Sequence, residues 1–204
     1  MMVNQLRDSY LHLKSAKNDN LLLKDAALFS YLEIQPSSVN ELSDMLGIVS
    51  TSRLFVRLRD HRRRGLIEKK GEKPGATSTF KTLGLTAAGT KLLAESRGRI
   101  QSSKPTASLA MRKKQVVKLL KFSSQMRLDS IPFLRLIKSG NDTTSKLGTI
   151  LNERPGKLAA YIHTHMNAGR VVLTDWRQNT ASAKSMVFKV STEGAKALTY
   201  CDGI

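Results

Sequence analysis

Apolar residues recur at helical spacing in several separate runs. Leu6, Tyr10 and Leu13 lie along one side of a stretch over residues 4 to 17, which Asn18, Asp19 and Asn20 then interrupt. Ala27, Leu28, Tyr31 and Leu32 predict a helix over 22 to 34, closed by the turn signal Gln35, Pro36, Ser37, Ser38. Ser38 and Glu41 have capping-box spacing, with Leu42, Met45 and Leu46 as the buried stripe behind them and Gly47 as the stop. A further helix begins at Thr51. At about 100° per residue, its Leu54, Leu58, His61 and Gly65 share one face, while Ser52, Arg53, Val56, Arg59 and Arg63 fall on or near the opposite one. Alternation then replaces the helical period. Leu66 to Lys69 and Thr79 to Leu85 read as two strands of a hairpin around the polar GEKPGATST, and Thr86 caps a closing helix, TAAGTKLLAE.

After a polar run from Ser96 to Ser108 the same order of elements returns. Met111 to Phe122 predicts a basic helix with Val116, Val117 and Leu120 as its apolar side; Ile131 to Ile137 corresponds to Ala26 to Leu32, and Leu147, Ile150 and Leu151 to Leu42, Met45 and Leu46. Leu158, Ile162, His165 and Gly169 match Leu54, Leu58, His61 and Gly65. A strand at 171 to 174, a polar tip DWRQNTASAKS, the strand MVFKV and the helix STEGAKAL complete a second copy, with Gly194 for Gly89. The predicted class is therefore mainly α with small β-hairpins, an α+β protein of two repeated domains. Their expected boundaries are an N-terminal arm or helix over 1 to 20, a first domain over 21 to 96, a linker over 97 to 108, a second domain over 109 to 200 and a tail over 201 to 204.

Charge narrows the partner. The chain of 204 residues carries 34 Lys and Arg against 16 Asp and Glu, a formal net charge of +18. Both halves share the excess, with 17 basic and 10 acidic side chains in residues 1 to 100 and 17 and 6 in the remainder. A polyanion is the expected partner. A single cysteine, Cys201, fits a reducing compartment, and the absence of a long apolar run predicts a soluble cytoplasmic protein without a membrane partner. No phosphate-binding glycine loop, nucleophile elbow or zinc spacing occurs. His163 and His165 point about 160° apart on a helix, and His61 and His165 read as packing residues at matching positions. Neither an enzyme nor a cofactor or metal protein is expected.

The segments LRDHRRRGLIEKKG and GLTAAGTKLL resemble the winged helix-turn-helix DNA-binding proteins, in particular the MarR-like pattern, over residues 21 to 95. The segments IHTHMNAGRVVLT and VSTEGAKAL resemble it more loosely over 109 to 199. The resemblance implies tandem winged helix-turn-helix domains, each with a three-helix core and a β-hairpin wing. The third helix would lie in a DNA major groove and the wing tip against the minor groove or backbone. Unlike the MarR-like proteins, which have one such domain flanked by long dimerisation helices, this chain carries two; tandem winged helices also occur in plasmid replication initiators.

On that pattern Ser52, Arg53, Val56 and Arg57 are the expected base readers, arginine because its fork donates two parallel hydrogen bonds to guanine, and Val56 or Phe55 through a thymine methyl. Arg59, Arg62, Arg63 and Arg64 are expected phosphate contacts, and Lys69, Lys70, Lys73 and Lys81 would serve the wing. In the second copy Lys157, His163, Arg170, Arg177 and Lys184 are the candidates, with Ala159, Ala160 and Tyr161 standing where the first has Phe55, Val56 and Arg57. That copy is a weaker or non-specific DNA contact or a dimerising half, and Trp176 is expected to pack the base of its hairpin.

The leading expectation is a transcription regulator reading double-stranded DNA, associated with the nucleoid. A homodimer could form through the N-terminal arm or residues 108 to 122. The alternative is a plasmid or phage replication or maintenance protein binding repeated origin sites and recruiting partners of the replication or transcription machinery. A protein-interaction module would show an apolar patch in place of the basic helix, and an RNA binder would show exposed aromatic platforms.

Overall fold

The computed structural model describes residues 3–15, 22–47, 52–72, 81–100, 108–122, 126–178, 184–202 and 204, with the side chains of Ser52, Glu72 and Lys81 outside that set. Among the described residues there are ten helices and two antiparallel hairpins, an α+β fold. The first half contains α1 (Val3–Ser15), α2 (Leu23–Ile34), α3 (Val39–Leu46), α4 (Ser52–Arg63), β1 (Ile67–Glu72), β2 (Lys81–Leu85) and α5 (Ala87–Ile100). The second contains α6 (Leu109–Lys121), α7 (Ser130–Lys138), α8 (Thr144–Leu151), α9 (Pro155–Asn167), β3 (Val171–Gln178), β4 (Lys184–Val190) and α10 (Thr192–Cys201). No described helix is long and apolar enough to cross a membrane.

Local chemistry starts and stops the short helices. Ser38 Oγ accepts the Glu41 N–H (3.2 Å) while Glu41 Oε2 accepts the Ser38 N–H (2.8 Å), and Gly47 ends α3 at φ +65°. Thr143 caps α8 in the same way through the Lys146 N–H (3.2 Å), although with lysine at the third position the reciprocal arm is missing. Helices α4 and α9 both end on a left-handed glycine, Gly65 and Gly169, followed by one long backbone bond from Leu66 to His61 and from Arg170 to His165 (2.9 Å each).

The join from hairpin to closing helix is likewise built twice. Thr86 Oγ1 donates to the Gly65 carbonyl (2.6 Å) and accepts the Gly89 N–H (3.1 Å); Ser191 Oγ donates to the Gly169 carbonyl and accepts the Gly194 N–H (3.1 Å). A Cβ at Gly89 would meet the Leu66 carbonyl oxygen at 2.0 Å, and one at Gly194 the Arg170 carbonyl oxygen at 2.3 Å, so both glycines are required by close approach of backbone. Each hairpin has an irregular step at the corresponding place, between Lys69 and Gly71 and between Leu173 and Asp175.

The leading helices cross over. Helix α1 packs on α7 and α8 of the second half, burying Leu6 and Tyr10, whereas α6 packs on α2 and α3 of the first with Val116, Leu119 and Leu120. Helices α2 and α7 consequently have neighbours on both sides, and their buried residues run almost all the way round. Leu22 and Arg127 form an isolated antiparallel bridge between the halves, beside the Leu23 N–H bond to the Met126 carbonyl (2.8 Å). Several sequence boundaries shift as a result. Residues 97–100, expected in the linker, are the last turn of α5, where Ile100 is buried. The expected tail is interior too: Cys201 and Ile204 are buried, and the Ile204 carbonyl accepts from Ser30 Oγ (3.1 Å) and from Arg97 of the first half.

Candidate nucleic-acid interface

Helix α4 is amphipathic in the strict sense that its two faces have different chemistry. Leu54, Leu58 and His61 are buried against the first half's core, whereas Arg53, Phe55, Val56, Arg59, Asp60, Arg62 and Arg63 are exposed. Phe55 and Val56, 56% and 48% accessible, stand among the exposed arginines of that outer face. Ser52 stands at the first position of the helix, but its side chain lies outside the described residues. Arg64 follows the helix at the surface and has an interaction partner within the chain.

The inner face is fixed by a carboxylate that the sequence reading did not single out. Asp25, buried near the start of α2, has Oδ1 at 2.9 Å from His61 Nε2 and 2.7 Å from Arg57 Nε, while its Oδ2 accepts the Leu22 N–H at 2.9 Å. Burial alone would raise the Asp25 pKa, but the His61 hydrogen bond, the Arg57 charge and the Leu22 N–H outweigh it and hold the carboxyl below its ordinary range. Phe29 meets the His61 ring edge-on at 4.9 Å. Asp25 therefore sets the rotation of α4 through two of its side chains.

Arg57, expected as a base reader, is 30% exposed and has its Nε 2.7 Å from Asp25, so it ties α4 to α2 rather than standing free on the outer face. Lys24, one residue before Asp25, was also missed; burial and then the nearby Arg57 charge lower its pKa. The signal available in the sequence was a Lys-Asp pair opening an otherwise apolar helix, LKDAALFSYL.

In the hairpin after α4, Lys69 and Lys70 are exposed, with Lys70 Nζ 2.7 Å from Glu68. Lys81 faces Glu72 in the ladder, its side chain outside the described residues, and Lys73 lies wholly outside them.

The second half offers a different surface at the equivalent place. Beyond its first two residues, the exposed positions of α9 are Lys157, Ala160, His163, Thr164 and Asn167. Arg177 is half exposed with its guanidinium 3.9 Å from Asp142, and Lys184 is exposed at the start of β4. Arg170, a candidate DNA contact in the sequence, is only 7% accessible, and burial lowers its pKa. It occupies the position after the helix-ending glycine, which Leu66 fills in the first half, so its stem replaces a core side chain and cannot serve as a surface phosphate contact. Burial, with the Arg170 charge added, pushes His165 down to about 3, leaving a neutral ring stacked on Phe133 at 5.2 Å. Trp176, expected to pack under the hairpin, is exposed because β3 leaves the core after Val171. The basic helix α6 is partly turned inward: Lys113 donates to Gln35 and Arg112 to the Ile204 carbonyl (3.4 Å), while Lys114, Lys118 and Lys121 remain exposed.

Among the described residues no group of three or more His, Cys, Asp or Glu side chains is arranged to hold a metal ion. No protein-family model, curated protein or solved structure matches the chain.

Proposed function

We propose that the protein binds double-stranded DNA sequence-specifically through two winged helix-turn-helix units and acts as a transcription regulator. The observation that carries this reading is the outer face of α4, where Arg53, Phe55, Val56, Arg59, Arg62 and Arg63 are exposed together on a helix braced from behind by Asp25. A helix of this kind fits a major groove: arginine forks match guanine edges, apolar side chains meet thymine methyls, and guanidinium groups nearer the helix end meet phosphates. Arg53 and Val56 are the base readers, with Phe55 beside them, and Arg59, Arg62 and Arg63 anchor the helix to the backbone. Lys69 and Lys70 extend the contact along the hairpin.

Selection of bound fragments from a random duplex pool at about 0.15 M salt tests the proposal, since non-specific affinity there is only ~10⁻⁴ to 10⁻⁶ M. A recovered consensus is the expected result. Binding without a consensus, falling steeply as salt rises, would reduce the protein to a charge-driven DNA coat; a consensus made of closely repeated sites from a replication origin would favour a replication protein over a regulator.

A further inference from the structure

The exchange of leading helices bears on the symmetry that relates the two halves. Let one operation carry each element of the first half onto its counterpart in the second, α1 onto α6 and α2 onto α7. Helix α1 packs on α7, the image of α2 under the forward operation. Helix α6 packs on α2, which means that α1 also has the right relation to the image of α2 under the reverse operation. A rotation equal to its own inverse, a two-fold, produces both contacts at once.

Two further contacts obey the same rule. The Leu22–Arg127 bridge is antiparallel and joins residues separated by the length of the repeat, as strands do where they cross a two-fold axis. Helix α1 contacts α8 and α6 contacts α3, again an exchanged pair. Within each half the hairpin's second strand bridges to the chain just before the short second helix, at Ser37 with Leu83 and at Thr143 with Val187, so the halves are alike enough for the operation to be meaningful.

Resting on the DNA-binding reading above, we infer that the target is a duplex with two inverted, unequal half-sites bound by a single chain. A two-fold rotation preserves height along its axis, so in the inferred complex the outer faces of α4 and α9 are turned to the same end of that axis and meet one duplex. Duplex DNA has two-fold axes of its own, and a two-fold protein aligns with one, meeting successive major grooves about 34 to 36 Å apart with opposite polarity. The half-sites are unequal because the outer faces differ: Arg53, Val56, Arg59 and Arg63 in α4 become Lys157, Ala160, His163 and Asn167 in α9. One half-site is read by sequence and the other is held by its backbone.

The test grafts the α4 face onto α9 in the full chain with Lys157→Arg, Ala160→Val, His163→Arg and Asn167→Arg, all at exposed positions. Fragment selection with the parent chain gives the single half-site; duplexes are then made with that half-site twice, as inverted and as direct repeats of one-turn spacing. The grafted chain is expected to prefer the inverted repeat by roughly tenfold or more. Equal binding, or preference for the direct repeat, overturns the two-fold assignment while leaving DNA reading intact. Failure of the parent to select any consensus overturns both. Hydroxyl-radical footprinting of the unmodified chain on its selected duplex gives an answer independent of the graft: protection symmetric about a dyad is expected, and two patches of the same polarity would refute it.

Discussion

Helices α4 and α9 end on the same glycine turn and feed the same kind of hairpin, but they are held in place by different chemistry. Under α4 lies a buried carboxylate, Asp25, which gathers His61 and Arg57. Under α9 the corresponding histidine is neutral and lies among rings: His165 stacks on Phe133 and meets Tyr161 edge-on at 4.8 Å, and the Tyr161 hydroxyl is 3.4 Å from Ser130 Oγ. An acidic residue is close by in this half also, but Asp129 has one carboxylate oxygen without a partner, and burial, its largest influence, raises its pKa despite Arg127 at 3.5 Å. The ionic brace accompanies an outer face rich in arginine. The aromatic support accompanies one of small and weakly basic residues. A helix that must present several like charges gains from an anion behind it, and α9 has fewer charges to offset.

The largest expected effect separates the two carboxylates. Asp25→Ala leaves the Arg57 and His61 sites without their acceptor and is expected to cost about 3 to 5 kcal/mol in urea unfolding, whereas Asp129→Asn is expected to change stability by less than about 1 kcal/mol. Similar losses at both positions would remove the distinction drawn here. The pH dependence carries opposite signs. The folded Asp25 pKa lies below the unfolded one, so its contribution is present above the ordinary aspartate range and disappears as pH falls through the folded value; the raised Asp129 pKa instead makes protonation favour the folded state.

Next in size is the acid response of the second half. His165 is pushed from 6.5 to about 3, so below pH 6.5 the unfolded chain takes up a proton that the folded chain refuses. Stability is expected to fall by about 1.4 kcal/mol per pH unit over that window, and His165→Phe should flatten this part of the profile. An unchanged slope in the variant would assign the acid sensitivity elsewhere.

Smaller again are the effects expected at the proposed DNA contacts. Arg53→Ala is expected to lose about 1 to 3 kcal/mol of discrimination at one or two base pairs, while Lys157→Ala weakens all sequences alike and lowers the salt slope by roughly one phosphate contact. If titrations on selected and random duplexes show the same loss for both variants, the two faces do not differ in kind.

Much of this contrast is legible in the amino-acid sequence. The Ser38–Glu41 cap, the glycines that stop α4 and α9, and the buried positions Leu54, Leu58 and His61 follow from local spacing, because short-range hydrogen bonds and one-sided burial leave regular marks in sequence. The position of Arg170 was also available, since it follows Gly169 as Leu66 follows Gly65. The role of Arg57 was not legible, because its partner Asp25 lies on a different helix and nothing local marks the pair. Nor was the crossing of α1 and α6: an apolar stripe states that a face will be covered, never by which element.

That crossing has a consequence for how the molecule responds to its own abundance. Each half completes its interior with a helix supplied by the other, an arrangement that separate subunits could reach only by meeting in solution. Here the connection between Ile100 and Ser108 turns the meeting into a first-order event. Pairing of the two halves is then independent of dilution, and on the DNA-binding proposal occupancy of a site by a single chain should rise linearly with copy number at low abundance. The connection also guarantees that the pair is always one of each kind, so two halves with unlike faces never sort into like pairs.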